Sequence, residues 1–181
     1  MSLEQPLVQR PQPTERDVAL IVRQYTLCTS LLEELFKLAP DECWTFDGVG
    51  CCASATKTLV EKGLQGPAYE TLMRLRGQRS ESYGHLPRDI EEACPYHTEQ
   101  GCVLGELKSP LCISHYCRGK IEGVFDSDYV YDTLKRILEG NLDPETGLYH
   151  PEKNWKIVLE LRRYVKELIF QLEYRPGCLR K

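Results

Sequence analysis

Residues 94–117 read CPYHTEQGCVLGELKSPLCISHYC, and this segment decides how the chain is organised. It carries four cysteines and two histidines. Thiolate and imidazole groups are the ligands that proteins use for zinc, iron and iron–sulfur clusters. If the chain folds back at Gly101 and Gly105, these side chains can surround a single centre. The segment therefore predicts a site for a metal ion or a cluster.

Three more cysteines lie in the middle of the chain, at Cys43 and in the adjacent pair Cys51-Cys52. The seven have the spacing C-x7-C-C and then C-x7-C-x9-C-x4-C, which differs from zinc ribbons and from bacterial ferredoxins. The candidate ligands are Cys43, Cys51, Cys52, Cys94, Cys102, Cys112, His115 and Cys117. For His97, which follows Cys94 in a predicted turn, a ligand role and a solvated side chain are equally open.

Helical geometry limits which of these ligands share a metal. Ser109 and Pro110 predict the N-cap and the first residue of a short helix that runs to Cys117. At about 100° per residue, His115 lies about 60° from Cys112, whereas Cys117 lies about 140° away. Cys112 and His115 can therefore bind one ion, and Cys117 joins them only if the helix ends close to it.

These residues resemble a known family. Four features are similar to the second half of the bacterial YkgJ-like cysteine-cluster proteins. They are the run Cys94-Pro95-Tyr96-His97, a cysteine eight positions later, a basic residue and a proline at Lys108 and Pro110, and the closing C-x4-C. Those proteins are described as zinc- or iron-chelating domains. A similar cluster occurs in the flagellin lysine methylases, which are associated with an iron–sulfur cluster.

The first half of the family pattern, C-x2-C-x2-C-C, is only partly present. Cys51-Cys52 match its end, but Thr45 and Gly48 stand at the other two cysteine positions, and Cys43 lies two residues before them. Pro110 is also one residue closer to Cys112 than in the usual pattern. The resemblance covers residues 43–117, implies metal or cluster binding, and implies no particular reaction.

Composition and charge limit the partners and the location that we expect for this protein. The chain has 181 residues, a net charge of -4 and a pI near 5.7, with its Lys and Arg scattered, so no nucleic-acid partner is expected. It has no apolar run of about 18 residues and no apolar signal core in residues 1–16, so we expect no membrane span and a cytoplasmic location. Thiols stay reduced there, which favours metal ligands over disulfides.

The apolar pattern predicts a mainly α fold in a single domain, 1–181. It consists of an extended arm (1–13), a helix (14–40), the cysteine-cluster region (41–119) and C-terminal helices (120–175). Thr14 and Asp17 predict a capping box at the start of the first helix. The long N- and C-terminal helices each have one apolar stripe, so we expect a small bundle in which they pack together, with the cysteine-rich, metal-binding loop region between them.

Shorter elements follow from local signals. Pro67 predicts the start of a helix that ends near Arg76, with a surface connection over 77–88. A helix from Ser127 should end at Gly140-Asn141. On the first helix, Cys28 lies on the apolar stripe and should be a buried thiol. The last helix, 152–173, is expected to bury Trp155, Val158, Leu159, Leu161, Val165, Leu168, Ile169 and Leu172.

Several functions remain open at this point. The preferred interpretation is an iron–sulfur protein that transfers electrons or serves as a redox or accessory component for a protein partner. The alternative is a non-catalytic helical interaction module with a structural zinc site. There are two further interpretations. One is a metal-dependent enzyme with an open ligand position, and the other is a set of buried cysteines that bind no metal. No nucleotide-binding glycine loop, H-E-x-x-H or G-x-S-x-G is present, so familiar hydrolase and nucleotide chemistries have no support. Whether the protein is an enzyme stays open.

Overall fold

A computed structural model describes residues 12–38, 64–83, 96–98, 101–110, 112–113, 125–143 and 145–174. Within these ranges the fold is mainly helical, as predicted. The α-helices are α1 (Glu15–Lys37), α2 (Pro67–Ser82), α3 (Ser127–Leu138) and α4 (Asn154–Tyr174). Two-residue strands β1 (His97–Thr98) and β2 (Gly101–Cys102) and the 3₁₀ turns Gly105–Leu107 and Pro151–Lys153 complete the described elements.

Helix α1 is the central element of the bundle. It begins with the predicted capping box, in which the Asp17 amide donates to the Thr14 hydroxyl and the Asp17 carboxylate accepts from the Thr14 amide at 3.0 Å. It ends at Lys37, before Pro40, because proline is not tolerated inside a helix. Its buried stripe contacts α2, α3 and α4, so the predicted pairing of the two terminal helices, α1 with α4, is confirmed.

Helix α2 is longer than predicted. It was expected to end near Arg76, but it continues through Gly77 to Ser82, so part of the predicted surface connection is helical. A glycine inside a helix costs about 1 kcal/mol relative to alanine. Arg76 and Arg79 both donate hydrogen bonds to residues 104–107, and these long-range contacts offset that cost.

Helix α4 buries most of the predicted stripe, but two positions were predicted wrongly. Trp155 is 39% exposed and Leu159 is 59% exposed, and Ile169 is half-buried. The buried stripe consists of Val158, Leu161, Val165, Leu168 and Leu172. At about 100° per residue, Leu159 points away from this stripe. An apolar residue at the edge of a helical pattern is not sufficient evidence of burial.

A buried polar contact joins α1 to the start of α4. The Asn154 amide donates to the Gln24 side-chain oxygen at 3.2 Å and to the Ile137 carbonyl at 3.3 Å, and Gln24 donates to the Pro151 carbonyl at 2.9 Å.

Gly140 ends α3 with φ of 67°, as predicted. Of the helices that the structure describes, none is long and apolar enough to cross a membrane.

Candidate metal centre

The first part of the cysteine segment is a small hairpin. Strands β1 and β2 pair antiparallel, with His97 opposite Cys102 and Thr98 opposite Gly101. The Val103 amide donates to the Tyr96 carbonyl at 2.9 Å. Directly opposite residues in an antiparallel ladder have Cα atoms about 4.5–5.5 Å apart. The backbone of His97, whose role the sequence left open, is therefore next to that of Cys102.

A second change of direction follows the hairpin. Gly105 has φ of 50°, in the left-handed region that favours glycine, and it opens the 3₁₀ turn Gly105–Leu107. A Cβ atom at Gly105 would lie 3.4 Å from Nη1 of Arg79. The predicted turn at Gly105 is thus present, and Gly101 lies in strand β2.

The backbone of residues 104–108, which we call the bridging segment, is bound by side chains of α1. The Tyr25 hydroxyl donates to the Lys108 carbonyl, and the Thr29 hydroxyl donates to the Glu106 carbonyl. Glu33 forms an ion pair with the ammonium group of Lys108, which is buried. Tyr25, Thr29 and Glu33 are spaced by four residues, so they lie along one face of the helix. One face of α1 therefore holds the middle of the 3₁₀ turn and the residue that follows it.

Helix α2 binds the same segment from a second direction. Nε of the buried Arg76 donates to the Leu107 carbonyl at 2.6 Å, and Nη1 of Arg79 donates to the Leu104 carbonyl at 2.9 Å. Arg79 also forms an ion pair with Glu106, with 2.7 Å between Nη2 and Oε1. The side-chain hydrogen bond to Arg79 lowers the pKa of Glu106, and the same bond raises the pKa of Arg79. Two helices thus fix the segment between Cys102 and Cys112.

Cys112 lies just after the bridging segment, at a capped helical turn. The Cys112 amide donates to the Ser109 hydroxyl oxygen at 3.2 Å, and the Ile113 amide donates to the Ser109 carbonyl at 3.0 Å. Ser109 is therefore an N-cap, as the sequence predicts. The Ser109 hydroxyl also donates to the Cys112 sulfur, with an Oγ to Sγ distance of 3.1 Å. The cap residue thus contacts a predicted ligand atom directly.

The environments of the described cysteines divide them into two kinds. Cys28 is 0% exposed, and burial raises its pKa to about 12. Metals bind the thiolate, so this thiol is poorly suited to ligation, and its predicted burial is confirmed. Cys102 and Cys112 are half-buried and stand on either side of the bridging segment.

The other predicted ligands, Cys43, Cys51, Cys52, Cys94, Cys117 and His115, lie outside the described residues. Among the residues that the structure does describe, no three or more His, Cys, Asp or Glu side chains form an arrangement suited to a metal ion. The complete ligand set stays a prediction. The structure supplies the surroundings of two of its members, Cys102 and Cys112.

The polar residues that bind the bridging segment were not identified from the sequence. Tyr25 and Thr29 lie within the apolar stripe of α1. A hydroxyl group in such a stripe indicates that it needs a hydrogen-bond partner inside the protein. Arg76 and Arg79 were placed at the end of a helix and in a surface connection. Their contacts with the bridging segment depend on the continuation of α2 past Gly77.

An open groove of about 1070 Å³ lies between α1 and α2. Leu27 and Trp155 line it and are partly exposed, and Glu106 and Leu107 of the bridging segment form part of its wall. The groove is therefore adjacent to the bridging segment, which lies between the two described cysteines in the chain.

Comparison of the chain with protein-family models, with curated proteins and with solved structures found no match. The resemblance to the YkgJ-like proteins stays a prediction from the residues quoted above.

Proposed function

We propose that this protein is a cysteine-cluster metalloprotein that binds an iron–sulfur cluster and acts in electron transfer or as a redox or accessory component. The observation that carries the proposal is the placement of Cys102 and Cys112 on either side of a segment whose backbone is bound by α1 and α2. Their half-buried thiols contrast with Cys28, whose thiol is enclosed in the apolar core.

The bound backbone supports this function because a ligand site requires fixed geometry. The carbonyl groups of Leu104, Glu106, Leu107 and Lys108 all accept hydrogen bonds from helix side chains. Ligands positioned in advance lose less conformational entropy when the metal binds. These contacts fix the backbone that connects the two cysteines.

The remaining ligands are proposed from the sequence. Cys94 and Cys117 flank the described part of the segment, and the earlier loop supplies Cys43, Cys51 and Cys52, with His115 as a nitrogen ligand. The irregular spacing of these residues suits a cluster more than a single tetrahedral ion, and the YkgJ-like resemblance favours the same choice. When bound, the cluster would supply one-electron redox chemistry, and the chain would supply its ligands and their surroundings.

Metal analysis of protein purified without oxygen tests this proposal. We expect iron and acid-labile sulfide in the preparation, and a brown colour with absorption near roughly 400 nm that bleaches on reduction with dithionite. Thiolate-to-iron charge transfer is the origin of that absorption. A colourless protein with zinc and no iron would contradict the cluster.

The second candidate function is a helical interaction module stabilised by a structural zinc ion. The groove between α1 and α2 favours it, since Leu27 and Trp155 offer exposed apolar surface there. This candidate predicts about one zinc per chain, bound by four thiolate or imidazole ligands, and no visible absorption. Quantification of iron, zinc and sulfide in one preparation separates the two candidates.

A further inference from the structure

The outward face of α4 carries a row of exposed side chains opposite its buried stripe. Leu159, Arg163, Lys166 and Phe170 are spaced by four, three and four residues, so they follow one line along the helix. Leu159 is 59% exposed and Phe170 is 56% exposed, and both cations are exposed as well. We call these four residues the outer seam. Two apolar side chains thus flank two cations at the spacing that helices use when they pair.

We propose that the outer seam is a docking site for an acidic amphipathic helix of a protein partner. In a pair of helices, residues three and four apart form the line of contact, and a partner helix is held there by apolar anchors at the same spacings. The matching partner sequence has the pattern L-x3-E-x2-E-x3-L. The seam lies on a different element from Cys102 and Cys112, so this inference does not rest on the metal centre.

The two cations determine the charge of the partner. Arg163 and Lys166 form no ion pair with any residue in the described part of the chain. Glu160 and Glu167 lie to one side, about 70–90° round the helix, so the seam itself contains no acidic residue. A partner that covers the seam removes water from both cations, and burying an unpaired charge is costly. Carboxylates on the partner offset that cost, whereas a purely apolar helix does not.

Aromatic surface extends the outer seam at both ends. The rings of Phe170 and Tyr174 pack with their centroids 4.7 Å apart, and Tyr174 is 69% exposed. Trp155 lies four residues before Leu159 and is 39% exposed. Side chains that already pack against each other lose less freedom when a partner covers them. The two ends of the seam therefore provide apolar anchor points on either side of the cations.

A second copy of this chain does not supply the complement. Antiparallel pairing of two seams would bring Arg163 of one copy against Lys166 of the other, and parallel pairing would bring Arg163 against Arg163. Like charges along the contact line disfavour pairing. None of the four α-helices that the structure describes carries two acidic residues three positions apart. The proposed occupant is therefore a different protein.

The test measures binding of two labelled synthetic peptides to the full chain by fluorescence anisotropy. The acidic peptide carries L-x3-E-x2-E-x3-L within about 21 residues, which is long enough to form a helix. The basic peptide is identical except that lysine replaces both glutamates. We expect the acidic peptide to bind at least about tenfold more tightly, because like charges across a contact are unfavourable. The preference should shrink at high salt, which screens the charges.

Charge reversal on the protein provides the matched variants. The double variant Arg163→Glu/Lys166→Glu should reverse the preference and bind the basic peptide more tightly. Arg16→Glu/Arg74→Glu makes the same change of net charge at exposed positions of α1 and α2, and it should keep the wild-type preference. Leu159→Ser should weaken binding of the acidic peptide. Circular dichroism checks that each variant keeps its helix content.

Three other results would overturn the inference. The first is equal affinity for the two peptides, or no binding of either. The second is dimerisation of the chain that Leu159→Arg abolishes, which would assign the seam to a second copy. The third is binding to phosphatidylserine vesicles that requires Arg163 and Lys166, without binding of the acidic peptide, which would assign the seam to lipid. Metal analysis judges the cluster separately from all of these outcomes.

Discussion

Tyr25 of α1 donates a hydrogen bond from its phenol to the backbone carbonyl of Lys108, although the two residues are 83 positions apart in the chain. Tyr25 is fully buried, and Lys108 precedes the cap of the turn that carries Cys112. This contact joins the long N-terminal helix to the cysteine segment. It therefore connects the stability of the bundle to the position of a predicted metal ligand.

Removing this phenol should destabilise the protein. Tyr25→Phe keeps the ring and deletes the donor to a buried carbonyl, so we expect the free energy of unfolding to fall by about 1–3 kcal/mol. Chemical denaturation followed by circular dichroism measures the change. Tyr174→Phe is the matched control, since Tyr174 is 69% exposed, and its effect should be within about 0.5 kcal/mol of zero. Equal stabilities of the two variants would show that the contact contributes nothing.

The cysteines should differ in their effect on metal binding. Cys102→Ala and Cys112→Ala are expected to lose most of the bound metal, because each removes a ligand. Cys28→Ala is the matched control. It should retain its metal and lose roughly 1–2 kcal/mol of stability, because a fully buried sulfur is replaced by a cavity. Elemental analysis of the three variants provides the measurement, and unchanged metal in all three would refute the ligand assignment.

The pair Arg79 and Glu106 should contribute to stability in a pH-dependent way. The bond to Arg79 lowers the pKa of Glu106 below its ordinary value of 4.5, so the carboxylate stabilises the folded state above that pH. This contribution is lost as the pH falls through the lowered pKa in the folded state. The side chains are 31% and 37% exposed, which limits the contribution to about 0.5–1 kcal/mol.

Unfolding of wild type and Glu106→Gln at several pH values tests this dependence. The difference in stability should be constant near neutral pH and shrink below about pH 4.5. Glu160→Gln, at an exposed position of α4, should show no comparable trend. A difference for Glu106→Gln that persists unchanged in acid would contradict the role of the ion pair.

Two glycines should respond oppositely to alanine. Gly140 has φ of 67°, and an added Cβ would lie 2.7 Å from Cδ1 of Ile21 and 2.9 Å from Cδ1 of Tyr149. Gly140→Ala should therefore destabilise the fold by about 1–3 kcal/mol. Gly77 lies inside α2 with nothing within 4 Å of its Cβ position, so Gly77→Ala should stabilise the fold by about 0.5–1 kcal/mol. Thermal unfolding of both variants measures the contrast, and two changes of the same sign would contradict it.

Local signals predicted much of the helical structure. The capping box of Thr14 and Asp17, the cap at Ser109 and the end of α3 at Gly140 all appear where the sequence places them. Each depends on residues within one or two helical turns, so the chemistry that sets it is contained in a short stretch. The burial of Cys28 follows from the apolar stripe on which it lies.

The extent of α2 and the exposed edge of α4 were not predicted. Gly77 lowers helix propensity, but the bonds that Arg76 and Arg79 make to residues 104–107 extend the helix beyond it. Trp155 and Leu159 are apolar, but the bundle has no partner element to cover that edge within the described residues. Both differences arise from contacts between distant parts of the chain.

The sequence alone determined the helical character of the described residues, the caps at Thr14 and Ser109, the end of α3 at Gly140 and the set of candidate thiol ligands, because these follow from residue types and short spacings. Tertiary structure decided which of the described thiols stand near the surface and how the cysteine segment is held. It bound the backbone of residues 104–108 to side chains of α1 and α2. Such contacts depend on how helices pack over long separations, and no local pattern encodes that packing.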